Sequence, residues 1–171
     1  EHAQTDFGIL GNKEKCCGSV LLRMGDHESF ETIARDNIKQ FNELGIKTLV
    51  TSCSGCFKTI KEDYAKVGGM NFDVKHTAEY LVELIRSGKL ELKHEIKMKV
   101  TYHDPCNLGR LSEPWYKWEG TREKWGVFQP ARTVRRGVHG VYEAPRALLK
   151  AIPGLLASAL GGLSLTGGFY F

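Results

Sequence analysis

The sequence predicts an α/β domain built around a mostly parallel sheet. Three observations carry that prediction. Segments with helical and strand-like apolar spacing alternate as helix, strand, helix, strand, helix, strand through residues 26–102, the order that gives a parallel sheet covered by helices. The chain has 171 residues, 42% of them hydrophobic and 26% charged, which suits one packed domain. Two cysteine groups follow directly on strand candidates, where open α/β sheets place their ligands.

The elements follow in chain order. Residues 14–23 read as a loop entering a short apolar segment, Val20-Leu21-Leu22. Over 26–44, Phe30, Ile33, Ala34, Ile38, Phe41 and Leu44 recur at helical spacing, with Asp26 as N-cap and Gly45 just past the end. Residues 46–51 form a short strand that runs into Ser52-Cys53-Ser54-Gly55-Cys56. A second helix places Phe57, Ile60, Tyr64 and Val67 on one face and stops at Gly68-Gly69. Residues 72–74 give a brief strand. Residues 77–86 give a third helix with Ala78, Leu81, Val82 and Ile85 inward and Gly88 after its end. Residues 96–102 alternate apolar and polar as the next strand. Parallel crossovers are right-handed, which fixes the expected winding.

From 111–140 the character changes. Trp115, Tyr116, Trp118, Trp125 and Phe128 are interleaved with Lys117, Arg122, Lys124, Arg132, Arg135 and Arg136, and Pro114 and Pro130 break any long element. Such a segment either packs aromatics over the sheet edge or presents a docking surface to an acidic or protein partner. Residues 142–152 read as a helix with Pro145 in its first turn. The tail 151–171 is apolar but interrupted by Pro153, Gly154, Gly161, Gly162, Gly167 and Gly168, so no membrane span is predicted. The net charge of +4, with Lys and Glu interleaved, predicts no nucleic-acid partner. The polar start Glu-His-Ala-Gln-Thr-Asp shows no signal peptide and no initiator Met, and reads as a fragment or processed piece.

Five cysteines carry the chemistry. Cys16 and Cys17 are adjacent and precede Gly18; 35 residues separate Cys17 from Cys53, which pairs with Cys56 as Cys-Ser-Gly-Cys; Cys106 closes Tyr102-His103-Asp104-Pro105-Cys106. Two tight pairs in a cytosolic type of sequence favour metal or iron–sulfur ligation over disulfides. Adjacent side chains diverge, so Cys16 and Cys17 reach one mononuclear ion only with difficulty and more readily hold different irons of one cluster. The alternatives are a structural zinc ion on Cys16, Cys17, Cys53 and Cys56, which would make the chain a binding module, and a dithiol oxidoreductase using Cys53 and Cys56 alone. His103 and Asp104 read as a structural pair fixing the turn before Pro105, with donation to a cluster sulfur as the other role. His76, at a helix start, reads as a cap or a packed surface residue. His27, His94 and His139 have no constellation. Lys58 and Arg110 lie near cysteines and either offset thiolate charge or are solvated.

The composite of Cys-Cys-Gly and a later Cys-x-x-Cys closely resembles the cysteine-rich CCG domain of the heterodisulfide reductase superfamily, whose motif usually occurs twice. Cys16, Cys17, Cys53 and Cys56 match the later part of one copy. Tyr102-His103-Asp104-Pro105-Cys106-Asn107-Leu108-Gly109-Arg110 resembles the opening of a second, and Gly140-Val141-Tyr142-Glu143-Ala144-Pro145-Arg146 through Ala151-Ile152-Pro153-Gly154 is similar to the family as well. Gly109-Arg110-Leu111-Ser112-Glu113-Pro114-Trp115 with Trp118-Glu119-Gly120 resembles a subfamily of sulfate reducers, that of the K subunit of the membrane complex associated with dissimilatory sulfite reductase.

The resemblance implies a Rossmann-like parallel-sheet fold with helices on both faces and cysteines gathered at the strand carboxyl ends. It implies an anaerobic oxidoreductase subunit of sulfur and energy metabolism, holding a noncubane [4Fe–4S] cluster and passing electrons to disulfide-type substrates. Each complete motif in the family holds its cluster through five cysteines; Cys16, Cys17, Cys53 and Cys56 are four of the first set, to be completed by Cys106 or a solvent-derived ligand, and Cys106, which opens the second motif, reads either as a ligand or as an unligated buried thiol. Its implied partners are other subunits of a membrane-associated redox complex and a small thiol or disulfide protein or heterodisulfide. Its implied location is cytoplasmic or peripheral on the inner face of the membrane. The division expected is 1–110 as a first CCG unit, 111–140 as an aromatic and basic insertion, and 141–171 as the start of a second unit. The first cysteine of the first motif is absent and no second Cys-Cys-Gly follows Cys106. The sequence therefore reads as truncated or frame-shifted near Leu155, and the fragment alone is expected to be inactive.

Overall fold

The computed structural model describes residues 3, 5–113, 119–129 and 140–160, and the side chains among these apart from 158–160. Trp115, Tyr116, Trp118, Arg132, Arg135, Arg136 and the tail 161–171 lie outside the described residues.

A 3-10 turn at Gly11–Lys13 leads to the first departure from expectation. Residues read as loop contain a helix, α1 (Ser19–Met24). Six residues are too few for helical periodicity to register. What defines α1 is its two ends: Gly18 and Gly25 both take positive φ, +74° and +87°, which favours glycine, and the Gly25 N–H closes the last turn onto Leu21 and Leu22 carbonyls. α2 (His27–Glu43) starts where Asp26 accepts from the Ser29 N–H and buries Phe30, Ala34, Asn37, Ile38 and Phe41. Strand β1 (Thr48–Thr51) follows.

The next helical run has three consecutive segments, α3 (Ser54–Lys58), a π-helical stretch (Thr59–Asp63) and α4 (Tyr64–Val67), ending at Gly68. The buried Asp63 carboxylate is paired with Lys58 at 2.6 Å and Lys66 at 3.0 Å across that stretch. β2 (Asp73–His76) feeds straight into α5 (Thr77–Arg86). His76 is its cap: Nδ1 accepts from the Ala78 N–H, and Glu79 returns a carboxylate to the His76 N–H. β3 (Met98–His103), the hairpin strands β4 (Thr121–Arg122) and β5 (Phe128–Gln129), α6 (Glu143–Ala151) and β6 (Leu155–Leu160) complete the order.

The fold is α/β with parallel pairing, as the alternation predicts. Among the described residues the pairing forms separate two-stranded pieces: β1 with β2 parallel from Thr48↔Asp73 to Thr51↔His76, β3 with β6 parallel from Met98↔Leu155 to His103↔Leu160, and β4 with β5 antiparallel. α3 and α5 both pack on the β1–β2 pair, and α5 packs against α6. The core is assembled from Phe30, Ala34, Ile38 and Phe41 of α2, Phe57, Ile60 and Tyr64 of the three-segment helix, Phe72, Val74 and Leu108. Phe41 meets Phe72 edge-on at 5.4 Å. Cys17 is part of this core and Cys56 borders it, so the thiols stand at one end of the best-packed region rather than on a remote loop. In the insertion, Trp125 is 94% exposed at φ +70° on the β4–β5 hairpin and does not pack over a sheet edge.

Candidate metal centre

Cys53 is the N-cap of α3, two residues beyond β1, in extended conformation. Its N–H donates to Thr51 Oγ1 at 3.3 Å and its carbonyl accepts from the Phe57 N–H at 2.8 Å. The loop is anchored one residue earlier, where His76 Nε2 meets the Ser52 carbonyl at 3.1 Å; with Nδ1 accepting from Ala78, the ring carries its proton on Nε2. The Cys53 thiol is held below its usual pKa chiefly by the Cys56 backbone N–H, with burial opposing it and the Cys56 thiol, the Gly55 N–H and the Arg23 guanidinium each adding a smaller lowering. Cys56, one turn on, is pushed well above the usual thiol range by burial first, and then by Cys17 and Cys53, for which it acts as the proton donor. Cys17, Cys56 and Cys53 thus form a chain of interacting thiols drawn from two segments far apart in sequence.

Cys16 is exposed and Cys17 buried. The Gly18 N–H points back at Cys16 Sγ at 3.4 Å. A Cβ on Gly18 would stand 3.1 Å from the Phe30 ring, so glycine serves both the turn and the close approach. Two buried side chains hold the pair's backbone. Asn37 Nδ2 donates to the Cys16 carbonyl at 3.0 Å and Tyr64 Oη donates to the Cys17 carbonyl at 3.0 Å. The Tyr64 hydroxyl is pushed up to about 12 by burial, with Cys17, Cys16 and Cys56 adding to the effect.

Cys106 opens the turn after β3 and is exposed. The turn is closed by Leu108 and Gly109 N–H groups on the Pro105 carbonyl and by Leu111 N–H on the Cys106 carbonyl. Its next residue, Asn107, accepts from Arg23 Nη2 at 2.8 Å. Over Gly55, Cys53 Sγ, Arg23 Nη2 and Asn107 Nδ2 all come within 4 Å of the position a Cβ would take. The turn therefore leans on the Cys53 loop through Arg23. It is fixed from its other side by residues 140–146: Asp104 accepts from Arg146, Tyr142 Oη donates to Glu113 at 3.1 Å, and Val141 N–H donates to the Leu108 carbonyl. Asp104 thus fixes the turn through Arg146 rather than through His103, which is exposed. Lys58 is taken up by Asp63, and Arg110 is exposed.

Among the described residues, no three His, Cys, Asp or Glu side chains close on one point where a metal ion would be held. A tetrahedral zinc ion needs four donors on such a point. A polynuclear cluster takes thiolates on different irons and so asks for thiols side by side. An all-sulfur donor set suits either chemistry; the backbone N–H turned on Cys16 Sγ and the guanidinium beside Cys53 are donors of the kind that cluster sulfurs accept. Sequence reading missed Arg23, Asn37, Tyr64 as a polar group, and Asn107. Asn37 had a signal, since it interrupts the apolar stripe of α2 between Ala34 and Ile38. Arg23 had none once α1 was read as loop.

Residues 1–61 match the family described as a cysteine-rich domain, CCG. Over 154 residues the chain is 34% identical to the D subunit of the dihydromethanophenazine:CoB–CoM heterodisulfide reductase of Methanosarcina mazei, covering 87% of this chain and 31% of that one. It is 34% identical over 154 residues to the probable iron–sulfur-binding oxidoreductase FadF of Bacillus subtilis (90% and 18% covered). It is 32% identical over 152 residues to the EtfAB:quinone oxidoreductase of Syntrophomonas wolfei (89% and 17% covered). The chain spans less than a third of the length of these curated relatives. No solved structure matches it. With its two cysteine pairs drawn together near the end of β1, the chain carries a cysteine-rich CCG domain match over residues 1–61 and is similar along most of its length to heterodisulfide reductase D subunits and related iron–sulfur oxidoreductases.

Proposed function

We propose that this chain is part of an electron-transfer subunit in which Cys16, Cys17, Cys53 and Cys56, with Cys106 as a further ligand, hold an iron–sulfur cluster serving a disulfide-type substrate. The observation that carries the reading is the chain of thiols Cys17, Cys56 and Cys53, brought together from two segments with Cys16 beside them. Such a cluster, when bound, supplies one-electron chemistry at a potential set by its charge, its hydrogen bonds and its exposure. The residues around it act on those quantities. The Gly55 and Cys56 amides and Arg23 favour the Cys53 thiolate, and the Gly18 N–H is placed to bond the Cys16 sulfur. The exposed sulfurs of Cys16, Cys53 and Cys106 give a substrate sulfur access.

The relatives' names support a place among partner subunits of a redox complex; the substrate proposed is a heterodisulfide or a small thiol or disulfide protein. The cluster type proposed is a noncubane [4Fe–4S]. Among the described residues no helix is long and apolar enough to cross a membrane, and we place the chain at the inner membrane face through those partners. The unit division proposed is 1–110, 111–140 and 141–171, the last supported by α6 and β6 standing where the second unit would begin.

The test is the iron and acid-labile sulfide content of the anaerobically purified chain. Iron with matching sulfide supports the reading. Zinc without sulfide would replace it with a structural zinc domain acting as a binding module.

A further inference from the structure

We infer that Asn37 and Tyr64 are positioning residues for the vicinal cysteines: they anchor the carbonyls of Cys16 and Cys17 in the core and so decide which thiol faces inward and which faces out. The inference rests on the reading of Cys16 and Cys17 as ligands and adds the device that presents them.

Asn37 is 2% exposed and Tyr64 is fully buried. Their donors all go to one place. Asn37 Nδ2 spends its two protons on the Cys16 carbonyl, 3.0 Å, and on Tyr64 Oη, 2.9 Å; Tyr64 spends its one proton on the Cys17 carbonyl, 3.0 Å. The Asn37 Oδ1 atom is buried without a hydrogen-bond partner. Burying an amide and a hydroxyl costs free energy that an apolar pair of the same shape would avoid. The pair adds little to packing that Leu and Phe would not supply. What it adds is direction, because two successive carbonyls tied to fixed donors orient the chain through Cys17. Gly18, at φ +74°, completes the constraint on the far side. The outcome is visible in the thiols: Cys17 lies in the core against Cys56, and Cys16, its neighbour in sequence, is exposed. The helix that carries Tyr64 also carries Cys56, so one rigid run positions both a thiol and the backbone of its partner.

The test uses the full chain, reduced and metal-free. Alkylation by iodoacetamide is followed at each cysteine by mass spectrometry, for wild type, Tyr64→Phe and a control, Phe72→Leu, which loosens the same core away from the cysteines. Tyr64→Phe should raise the Cys17 rate relative to Cys106 about fivefold, the population shift of one net hydrogen bond, while Phe72→Leu leaves that ratio as in wild type. An unchanged ratio in folded Tyr64→Phe, or the same rise in Phe72→Leu, overturns the inference. Should Tyr64→Phe fail to fold, Asn37→Leu takes its place, with the rise expected at both Cys16 and Cys17 and an unchanged ratio again overturning it. After anaerobic iron and sulfide loading, the absorption and EPR spectra of Tyr64→Phe should differ from wild type and those of Phe72→Leu should not; identical spectra in all three would also overturn it. A wild-type chain that takes up no iron defeats the ligand reading, and the alkylation ratios still decide the positioning role.

Discussion

Cys53 and Cys56 stand one helical turn apart in opposite electrostatic surroundings. Cys53 receives amide protons and a guanidinium; Cys56 is half-buried between two other sulfurs. Under the proposed function, Cys53→Ser should remove most of the bound iron, measured per chain after anaerobic reconstitution. Cys106→Ser should remove less, since Cys106 reaches the centre only through the neighbouring Asn107–Arg23 bond. Unchanged iron in Cys53→Ser would take that residue out of the ligand set. Gly18→Ala forces an alanine into the left-handed region and its methyl to 3.1 Å from Phe30. The expected loss is about 1–2 kcal/mol, read as a lower urea midpoint at unchanged slope.

At the scale of elements, α2 and α5 were legible because each has a full apolar stripe and a cap in its own sequence: Asp26 for one, His76 with Glu79 for the other. α1 was not legible, because six residues bounded by glycines leave too little periodicity. The π-helical stretch was also hidden, since Phe57, Ile60, Tyr64 and Val67 keep a helical-looking spacing across it. The cysteine placements after β1 and β3 were legible from strand order alone. The bonds around them were not, since Arg23–Asn107 and Tyr64–Cys17 join residues whose partnership depends on tertiary packing. Asp26 gives a pH prediction. The Ser29 N–H, bonded to its carboxylate, holds the folded pKa below the ordinary value. Its contribution is complete above the unfolded value of about 3.9 and is lost as pH falls through the folded one. Asp26→Asn keeps a capping oxygen without the charge. The wild type should therefore be more stable than Asp26→Asn in urea unfolding at neutral pH, and that margin should shrink on acidification; a margin independent of pH would remove the carboxylate from α2's cap.

Across the whole molecule, contacts on two sides hold the Cys106 turn between the cysteine core and the α6 segment. Leu108 is buried in the core on one side, and Asp104 and Glu113 are tied to Arg146 and Tyr142 on the other. Gly109 and Gly140 meet so closely that a Cβ on Gly140 would fall 2.2 Å from the Gly109 carbonyl oxygen. Arg146→Met keeps much of the side-chain bulk but strands the half-buried Asp104 carboxylate. The cost expected is about 1–3 kcal/mol, seen as faster amide hydrogen exchange at Leu108, Gly109 and Leu111 with the α2 amides unaffected. Equal acceleration in α2 would mean that the contact supports the fold as a whole rather than the turn.

The parallel register of β3 with β6 has a consequence in time. The residues that gather Cys16, Cys17, Cys53 and Cys56 all precede the end of β2 at His76, so they come before β3 in chain order. The β3–β6 pair must wait for α6 and for Leu155–Leu160, and pairings across so long a stretch of chain form slowly. The local contacts that gather the four thiols can thus form independently of the long-range ones, and the Cys106 turn is complete only when Arg146 and Tyr142 reach Asp104 and Glu113.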